Sequence, residues 1–256
     1  MIRSLYQKII PEQRRIKNIL LFNKVTSVFY RGNRYACNCC GKSFRKFKSK
    51  GNTLVIRKNA ECPYCTSLER TRNLLFYLNR ETNLFTDKLR LLHFAPEWSL
   101  LPLFENAKNI DYFSADINPN FAEHRVDIMN IPFADESFDF IICAHVLGHV
   151  PDEKKAITEL YRVLMVDGTA LISTIIDLKS SETLERNDTD TSEKRLHYYS
   201  EPDLLRLHGT DFGQRLMNGG FNVTKIDYPS FLGNETREKY SLGDGSRELI
   251  FKCTKI

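Results

Sequence analysis

The sequence predicts an α/β fold: a doubly wound, mostly parallel β-sheet with a small zinc-binding unit in front of it. Two observations support this prediction. From residue 88 onward, strand-like apolar runs alternate with helical patterns, which is typical of a parallel sheet covered by helices on both faces. Ahead of that region, two Cys-x-x-Cys pairs stand at positions 37–40 and 62–65, a spacing typical of structural zinc sites.

Length and composition limit the class of protein. The chain has 256 residues and is 42% hydrophobic, which suits one ordinary domain plus a small accessory unit and excludes global disorder. No apolar run reaches the length of about 18 residues that a membrane-spanning helix needs, and residues 1–29 do not resemble a secretory signal. An odd number of cysteines, seven, favours a reducing compartment over disulfides. We therefore expect a cytoplasmic protein.

Three parts are expected along the chain. Residues 1–33 form a basic, amphipathic helical segment, residues 34–80 a unit like a zinc ribbon or treble clef, and residues 81–256 the α/β domain. Residues 1–58 contain 15 lysines and arginines against one acid, Glu12, whereas the rest contains 22 against 31 acids. Such a basic segment is expected to meet a nucleic acid, a phospholipid surface or a phosphate-bearing substrate, or to pack on the protein's own acidic part.

The N-terminal half contains a few recognisable elements. Residues 2–29 are predicted to form one or two helices interrupted near Pro11. A turn is expected at 31–33, short strands within 42–60 with a hairpin turn at 51–52, and a helix over 67–79. The apolar positions of the first segment that fall at helical spacing between basic residues are Ile2, Leu5, Ile9, Ile16, Ile19 and Leu20.

The α/β region gives six predicted strands. Asp152 is expected to cap a helix that ends at Asp167-Gly168. Further helices are expected over 98–106 and near 202–218, and the polar residues 177–200 are expected to form a functional loop. The strands are predicted at 89–95, 112–117, 138–144, 169–175, 221–228 and 247–253.

The cysteine pairs predict a closed metal site. Two Cys-x-x-Cys turns can present four thiolates in the tetrahedral arrangement that structural zinc accepts. Only Cys37 with Cys40 gives the two-residue gap, so Cys39 is a spare. The alternatives are four unrelated buried cysteines or a redox dithiol, but neither pair follows a strand of a thioredoxin-like unit. The expected ligands are Cys37, Cys40, Cys62 and Cys65.

Acidic residues at strand ends predict a nucleoside-containing cofactor. Asp116 ends the second strand, 23 residues after His93 in the first strand, and a carboxylate there can accept both hydroxyls of a ribose. Asp127-Ile128 follows at a place where an adenine amino group can be received. Each acid alone is more often an ordinary surface carboxylate, but together, in this order, they favour such a cofactor.

These residues belong to stretches that resemble a known family. Residues 126–150 and 159–173 are similar to class I S-adenosylmethionine-dependent methyltransferases of the type 11 kind. The motifs CPYCTSLER (62–70), LHFAPE (92–97) and RLHGTDF (206–212) resemble a bacterial subgroup with a four-cysteine head. The resemblance covers roughly residues 35–256. It implies a seven-stranded, Rossmann-like methyltransferase sheet, S-adenosylmethionine as cofactor and structural Zn²⁺.

Carried over residue by residue, the resemblance implies a cofactor site. It places the methionine moiety at residues 93–97, the ribose at Asp116 and the adenine at 127–128. The first loop departs from the family by lacking glycine, and Glu97 there is expected to bind the cofactor's ammonium. Gly148 stands where the family usually has an acid. The expected cofactor-binding residues are His93, Phe94, Ala95, Pro96, Glu97, Asp116, Ile117, Asp127, Ile128, Ala144 and His145.

Catalytic candidates follow from position near the strand ends. Methyl transfer needs positioning and, for an oxygen or nitrogen acceptor, a base. Each candidate also has a structural interpretation, such as a helix-entry cap for His149 or an ion pair between Arg206 and Asp211. The candidates are His145, His149, Arg195, Arg206 and Asp211, with Asp177, His197, Tyr198 and His208 nearby.

Three functions are compatible with the sequence. The leading one is methyl transfer to a small-molecule or carrier-linked acceptor, with a saccharide favoured, on a cytoplasmic protein whose residues 2–29 touch an anionic membrane surface. The second is a zinc-headed ribosomal RNA methyltransferase. The third is a degenerate methyltransferase fold that acts as a scaffold. Missing motifs disfavour two base-modifying chemistries: no Asp/Asn-Pro-Pro-Tyr follows the third strand of the α/β region, and no Pro-Cys pair follows its third or fourth strand. The acceptor atom, the base and the oligomeric state stay open.

Overall fold

The computed structural model of the protein describes residues 11–243, 245 and 247–255. The N-terminal part consists of one helix, two small hairpins and a second helix. Their bounds are α1 (Glu12–Thr26), β1 (Arg31–Cys37), β2 (Lys42–Phe44), β3 (Lys48–Gly51), β4 (Ile56–Glu61) and α2 (Glu69–Glu81), with a 3₁₀ turn at Ser27–Tyr30.

The rest of the chain alternates strands and helices, as the sequence predicts. Its elements are β5 (Leu89–Phe94), α3 (Leu101–Glu105), β6 (Ile110–Asp116), β7 (His124–Arg125), β8 (Phe138–Ala144), α4 (Glu153–Val163), β9 (Leu164–Ser173), β10 (Leu184–Glu185), α5 (Ser192–Tyr199), β11 (Arg206–Leu207), α6 (Phe212–Asn218), β12 (Asn222–Ile226), α7 (Tyr228–Phe231), α8 (Gly233–Tyr240) and β13 (Ile250–Thr254).

Seven strands form the central sheet, in the order β12-β13-β9-β8-β5-β6-β7. The strands from β5 to β9 pair in parallel, and only β13 runs against its neighbours β9 and β12. The order reverses between β5 and β8, and ligands of such sheets bind at the carboxyl ends beside that reversal. The predicted doubly wound, mostly parallel, seven-stranded sheet is therefore confirmed.

Several predicted elements are also confirmed in detail. The strand at 138–144 has the predicted bounds, and the Asp152 side chain caps α4 by accepting a hydrogen bond from the Lys155 amide. The hairpin turn at 51–52 joins β3 to β4, with Gly51 opposite Ile56. α2 begins two residues later than predicted because the 67–68 stretch is extended before the first helical turn.

Three predicted elements are wrong. Residues 31–33 start β1 instead of forming a turn. The helix predicted to end at Asp167-Gly168 ends at Val163, and residues 167–168 lie inside β9, where Asp167 takes a left-handed φ of 63° and a bulge accommodates it. Only α6 forms within the predicted helix at 202–218, because residues 206–207 extend to pair with 184–185. The expected loop at 177–200 also contains α5, which Thr191 caps.

The hydrophobic core lies on both faces of the sheet. One face packs against α4 and α6, through side chains such as Ile157, Leu160 and Phe212. The other face packs against α2 and against the two hairpins with their cysteine turns (residues 31–65), which we call the cysteine unit. The contacts include the side chains of Leu74, Leu78 and Phe47. The cysteine unit is thus packed directly on the sheet. The boundaries at 33 and 80 stay predictions.

The N-terminal helix begins after Pro11, where the sequence predicts an interruption. The predicted apolar positions Ile2, Leu5 and Ile9 lie outside the described residues. Ile16 and Leu20 are half-buried, whereas Ile19 is 55% exposed. No helix among the described residues is long and apolar enough to cross a membrane.

Candidate functional site

A cavity of about 470 Å³ opens at the carboxyl ends of β5, β6 and β8. This is where the reversal of strand order predicts a ligand. Its lining combines apolar side chains with a few polar groups, which suits a ligand with a flat apolar ring and hydroxyls. The lining residues are Phe94, Ala95, Asp116, Ile117, Asn118, Phe121, Val126, Asp127, Ile128, Met129, His145, Val146, His149, Val150, Pro151 and Asp203.

The two predicted acids meet in this cavity. Asp116 ends β6, and its Oδ1 accepts a hydrogen bond of 2.7 Å from the Asn118 amide. Burial raises the pKa of Asp116, against the effect of that hydrogen bond. Asp127 Oδ1 accepts from the Met129 amide at 2.9 Å. Each carboxylate is fixed by a backbone amide through one oxygen, so the other oxygen remains available to a ligand.

The first loop reaches a glycine-like conformation without glycine. Ala95, the residue after β5, has a left-handed φ of 48°, a region that costs a side-chain-bearing residue about 1–2 kcal/mol. Its amide donates to the Ala115 carbonyl at 2.9 Å, which ties the loop to the neighbouring strand. Strained residues of this kind persist where the surroundings fix them, commonly at ligand sites.

His93 and Glu97 form a pair below the loop. The His93 side chain is buried, with Nδ1 3.0 Å from the Tyr112 hydroxyl and Nε2 3.0 Å from Glu97 Oε2. Burial acts to raise the pKa of Glu97, but the His93 hydrogen bond and the charges of His93 and Arg70 outweigh it and leave the pKa below its usual value. Glu97 is therefore an anion held in place by His93. His93 does not line the large cavity, and Pro96 is buried.

Sequence reasoning missed Arg70. Its side chain lines a second, small cavity of about 10 Å³ together with Glu97, Ala144 and Arg247. That volume holds about one water-sized group. The Arg70 Nε is buried and has no hydrogen-bond partner among the described residues. Arg70 is the last residue of the SLER motif, but nothing in that motif predicts that its side chain reaches the edge of the sheet.

The two cavities lie side by side. The consecutive residues Ala144 and His145 line one each, and so do Ala95 and Glu97 of the first loop. The small cavity therefore continues the large one along the strand ends, away from Asp116. Arg70 and Glu97 face it with opposite charges, so the one can bind an anion and the other a cation where the two cavities meet.

His145 is the predicted catalytic residue that lies best for acid–base work. It follows β8 in a left-handed conformation, with φ 58°. Its Nε2 is 3.1 Å from the Arg247 carbonyl oxygen, which can only accept, so Nε2 carries the proton and Nδ1 holds a lone pair. Burial, together with the charges of Arg70 and Arg247, holds the pKa of His145 well below its usual value. The imidazole is neutral at pH 7.

The other catalytic candidates lie in different surroundings. His149 lines the large cavity, with Nδ1 3.2 Å from the Asp203 carbonyl oxygen. Arg195 donates to the Thr189 carbonyl at 2.9 Å, and Asp211 accepts from the Thr183 hydroxyl at 2.8 Å. Neither lines the cavity. The ion pair expected between Arg206 and Asp211 is absent from the described residues, because Arg206 pairs with Glu185 at 2.8 Å instead.

Arg206 supports the cavity wall from behind. Its buried guanidinium donates to the carbonyls of Leu147 at 2.8 Å and Val150 at 2.7 Å, which are in the loop after β8. The same loop explains Gly148: a Cβ there would lie 2.6 Å from the Leu204 side chain, so an acidic residue does not fit without movement. Sequence reasoning placed Arg206 among the catalytic groups, whereas the structure shows it bonded to this loop.

His208 belongs to a buried network next to this loop. Its Nε2 lies 2.6 Å from Glu153, which also binds Arg215, and its Nδ1 lies 2.9 Å from the Thr174 hydroxyl. Burial lowers the pKa of His208. The RLHGTDF motif thus attaches residues 206–212 to α4 and to the end of β9. Its polar residues have a structural role here.

The four predicted cysteine ligands are close together. The sulfurs of Cys37, Cys40, Cys62 and Cys65 all lie within 4.8 Å of one another. Cys37 and Cys65 are 3.6 Å apart, and Cys40 and Cys62 are 3.9 Å apart. A tetrahedral site with metal–sulfur bonds of about 2.3 Å has sulfur–sulfur edges of about 3.8 Å. Cys39 is outside this cluster.

Comparisons with known sequences find a family match for the middle of the chain, which includes part of the sheet. Residues 102–172 match the family described as "Methyltransferase domain", a range that includes Asp116, Asp127 and His145. Demethylmenaquinone methyltransferase of Lactobacillus johnsonii is 31% identical over 78 residues, which is 28% of this chain and 32% of that protein. The uncharacterized methyltransferase YcgJ of Bacillus subtilis is 44% identical over 43 residues, 17% of each chain. The chain thus spans less than a third of the length of these relatives.

Comparison with solved structures shows the fold. The 4+2 cyclase SpnF superposes on 93% of this chain and covers 95% of its own, with a TM-score of 0.51 and 14% sequence identity. At that identity the likeness concerns the fold alone. The fold is thus the Rossmann-like one that the sequence predicts, and the activity has to be argued from the site.

The conformation of Ala95 gives a prediction about stability. We expect Ala95→Gly to leave the free energy of unfolding within about 0.5 kcal/mol of wild type or to raise it, because relief of the left-handed strain offsets the added chain entropy. The control is Ala156→Gly, a buried position of α4, which should cost at least about 1 kcal/mol. Urea unfolding measures both. Equal losses in the two variants would contradict a strained Ala95.

Proposed function

We propose that the protein is a class I methyltransferase that uses S-adenosylmethionine. The observation that carries the proposal is the large cavity at the strand ends, which brings Asp116 and Asp127 together among apolar side chains. The family match over 102–172 includes both acids and supports the same function. When bound, the cofactor supplies an electrophilic methyl group on a sulfonium.

The residues present fit this cofactor. Asp116 has a free carboxylate oxygen at the tip of β6, where it can accept ribose hydroxyls. The apolar side chains of Ile117, Phe121 and Ile128 line the same cavity and can cover an adenine ring. Asp127 can accept from the adenine amino group. These roles agree with those that the family resemblance implies.

Arg70 and Glu97 complete the proposed site at its far end. The methionine end of the cofactor carries an ammonium and a carboxylate on the same carbon. Glu97 is anionic and can accept from the ammonium, while the Arg70 Nε lacks a hydrogen-bond partner among the described residues and can donate to the carboxylate. The cysteine unit therefore contributes to cofactor binding through α2.

The ribose contact can be tested by substitution. We expect Asp116→Ala to weaken S-adenosylmethionine binding about 10- to 150-fold, because loss of a charged acceptor costs about 1.5–3 kcal/mol. Asp111→Ala, an exposed acid at the other end of β6, should bind like wild type. Calorimetric titration measures all three proteins. Unchanged affinity in Asp116→Ala would move the ribose elsewhere, and no binding by wild type would favour the scaffold function.

The role of Arg70 can be isolated with a shorter ligand. We expect Arg70→Met to weaken S-adenosylmethionine about 10- to 150-fold while methylthioadenosine, which lacks the amino acid, changes less than about threefold. Arg80→Met, at the exposed end of the same helix, is the control and should change neither affinity. Equal losses for both ligands would mean that Arg70 only supports the fold.

We also propose that the cysteine cluster holds one structural Zn²⁺. The sulfur–sulfur distances of 3.6 and 3.9 Å match the edges of a zinc tetrahedron. With four protein ligands the ion would have no open position for chemistry. It would instead fix the conformation of two turns, the one between β1 and β2 and the one before α2.

Zinc content and stability test this assignment. Elemental analysis should find one zinc per chain. Cys62→Ser should lose it and unfold the unit around residues 30–70, because structural zinc contributes roughly 10–16 kcal/mol to small metallodomains. Cys39→Ser is the matched control in the same turn and should keep both zinc and thermal stability. A zinc-free wild-type protein, or a fully stable Cys62→Ser, would refute the proposal.

For the acceptor we propose a polar small molecule or carrier-linked group, with a saccharide favoured. A groove of about 1130 Å³ runs between the cysteine unit and α8 and shares Glu248 with the small cavity. Its lining is mostly polar, including Asn33, Tyr35 and Asn234, which suits a ligand rich in hydroxyls. His145, which lines the large cavity and is neutral with a free Nδ1 lone pair, is the proposed base.

A second candidate function is methylation of structured RNA. It is favoured by the cations of the cysteine unit, including Arg34, Arg57 and Lys58 in the groove, which can bind phosphates. The groove's acids argue against it, because Glu69, Glu235 and Glu238 line the same walls and would repel a polyanion. The polar metabolite therefore remains the preferred acceptor.

A further inference from the structure

One surface of the N-terminal helix is strongly apolar and exposed. Six of the sixteen exposed large apolar side chains of the described residues fall within residues 19–29. The spacing of 21, 22, 25, 28 and 29 places them on one side of α1 and the following turn. We call this set the apolar face: Ile19 (55% exposed), Leu21 (62%), Phe22 (66%), Val25 (65%), Val28 (44%) and Phe29 (72%).

The opposite side of α1 packs on the protein. Asn23 and Ser27, one helical turn apart, are buried. Asn23 Oδ1 accepts a hydrogen bond from Lys48 of β3, which fixes the helix to the cysteine unit. The apolar face is therefore turned outward by the way α1 is attached, and no described part of the chain covers it.

A basic groove adjoins the apolar face. It has a volume of about 470 Å³, shares Val28 with the apolar face, and is lined by Lys24, Arg31 and Lys42 without any acid. None of these three cations has an ion pair within the part of the chain that the structure describes. Lys24 and Lys42 lie 6.0 and 4.6 Å from the centre of the Tyr64 ring. We call this the basic groove; it suits a phosphate beside an apolar surface.

We infer that the apolar face and the basic groove together dock on an anionic phospholipid surface. Apolar and aromatic side chains enter the boundary between headgroups and acyl chains, while cations bind lipid phosphates. A nucleic acid would satisfy the cations but leave Phe22 and Phe29 in water. A second copy of the chain would cover the apolar face but bring two basic grooves together. Of these three occupants, the bilayer meets both chemical demands.

The docked helix also touches the rim of the large cavity. Glu12, at the start of α1, accepts hydrogen bonds of 3.1 Å from the side chains of Asn118 and Asn120. Asn118 lines the cavity. Glu12 therefore ties the start of α1, the end away from Phe29, to the wall of the large cavity. The inference itself does not depend on the activity.

Vesicle co-sedimentation tests the docking. Full-length protein is mixed with vesicles of phosphatidylcholine alone or with one-third phosphatidylserine. We expect binding to the anionic vesicles only. Lys24→Glu with Lys42→Glu should weaken it by about 30-fold or more, since each lost cation is worth about 1 kcal/mol. Phe22→Ser with Phe29→Ser should weaken it at least about tenfold.

Matched control variants distinguish binding through this surface from nonspecific binding to vesicles. Phe231→Ser removes an aromatic that is 76% exposed on α7, and Lys154→Glu with Lys155→Glu reverses two exposed charges on α4. Both controls should bind vesicles like wild type. Circular dichroism and the thermal midpoint of every variant report whether its fold is intact.

Three results would overturn the inference. The first is an absence of binding to anionic vesicles. It overturns the inference equally if the protein instead binds structured RNA, or instead forms a dimer that the Phe22→Ser, Phe29→Ser double variant abolishes. The second is binding that the face and groove variants leave unchanged. The third is binding lost only in full-length Ile2→Ser, Leu5→Ser, Ile9→Ser, which would place the contact in residues 1–10.

Discussion

The guanidinium of Arg72 holds together the segments that build the far end of the proposed site. The side chain is fully buried and lies 4.6 Å from the centre of the Phe47 ring. It donates hydrogen bonds to four backbone carbonyls from three segments of the chain. These acceptors are Ala60 in β4, Ser67 before α2, and Tyr240 and Ser241 at the end of α8. A buried cation is costly unless it is fully bonded, so these segments have to stay together.

The hydrogen bonds of Arg72 and its neighbours fix the positions of the side chains at the proposed site. Asn73, next in the chain, donates to the Glu248 carbonyl and fastens the segment before β13. Arg70 precedes Arg72 by two residues on α2, so its side chain lies on nearly the opposite side of the helix, and it faces the small cavity. On the other side, Arg206 fastens the loop after β8 through the carbonyls of Leu147 and Val150. Buried arginines bonded to backbone carbonyls thus hold both walls of the strand-end cavities. The cysteine unit thereby becomes part of the proposed cofactor site.

The sequence predicted whatever depends on contiguous patterns. The apolar runs gave the strands of the sheet, two Cys-x-x-Cys pairs gave the sulfur cluster, and Asp116 was placed by its position at a strand end. The sequence did not predict Arg70, Arg72 or the role of Arg206. Their partners are backbone carbonyls and cavities that lie far away in the chain, and carbonyls have no sequence signature. The wrong element boundaries have a similar cause: residues 206–207 extend because they pair with 184–185, a contact that local propensity does not encode.

The central claim is that the cysteine unit completes a cofactor site whose ribose end lies at Asp116 and whose amino acid end lies between Arg70 and Glu97. A crystal structure of the protein with bound S-adenosylmethionine tests it most directly. We expect ribose hydroxyls on Asp116, the cofactor carboxylate within hydrogen-bond distance of the Arg70 guanidinium, and the ammonium on Glu97. Density that places the amino acid end away from Arg70, with the small cavity unchanged, would contradict it.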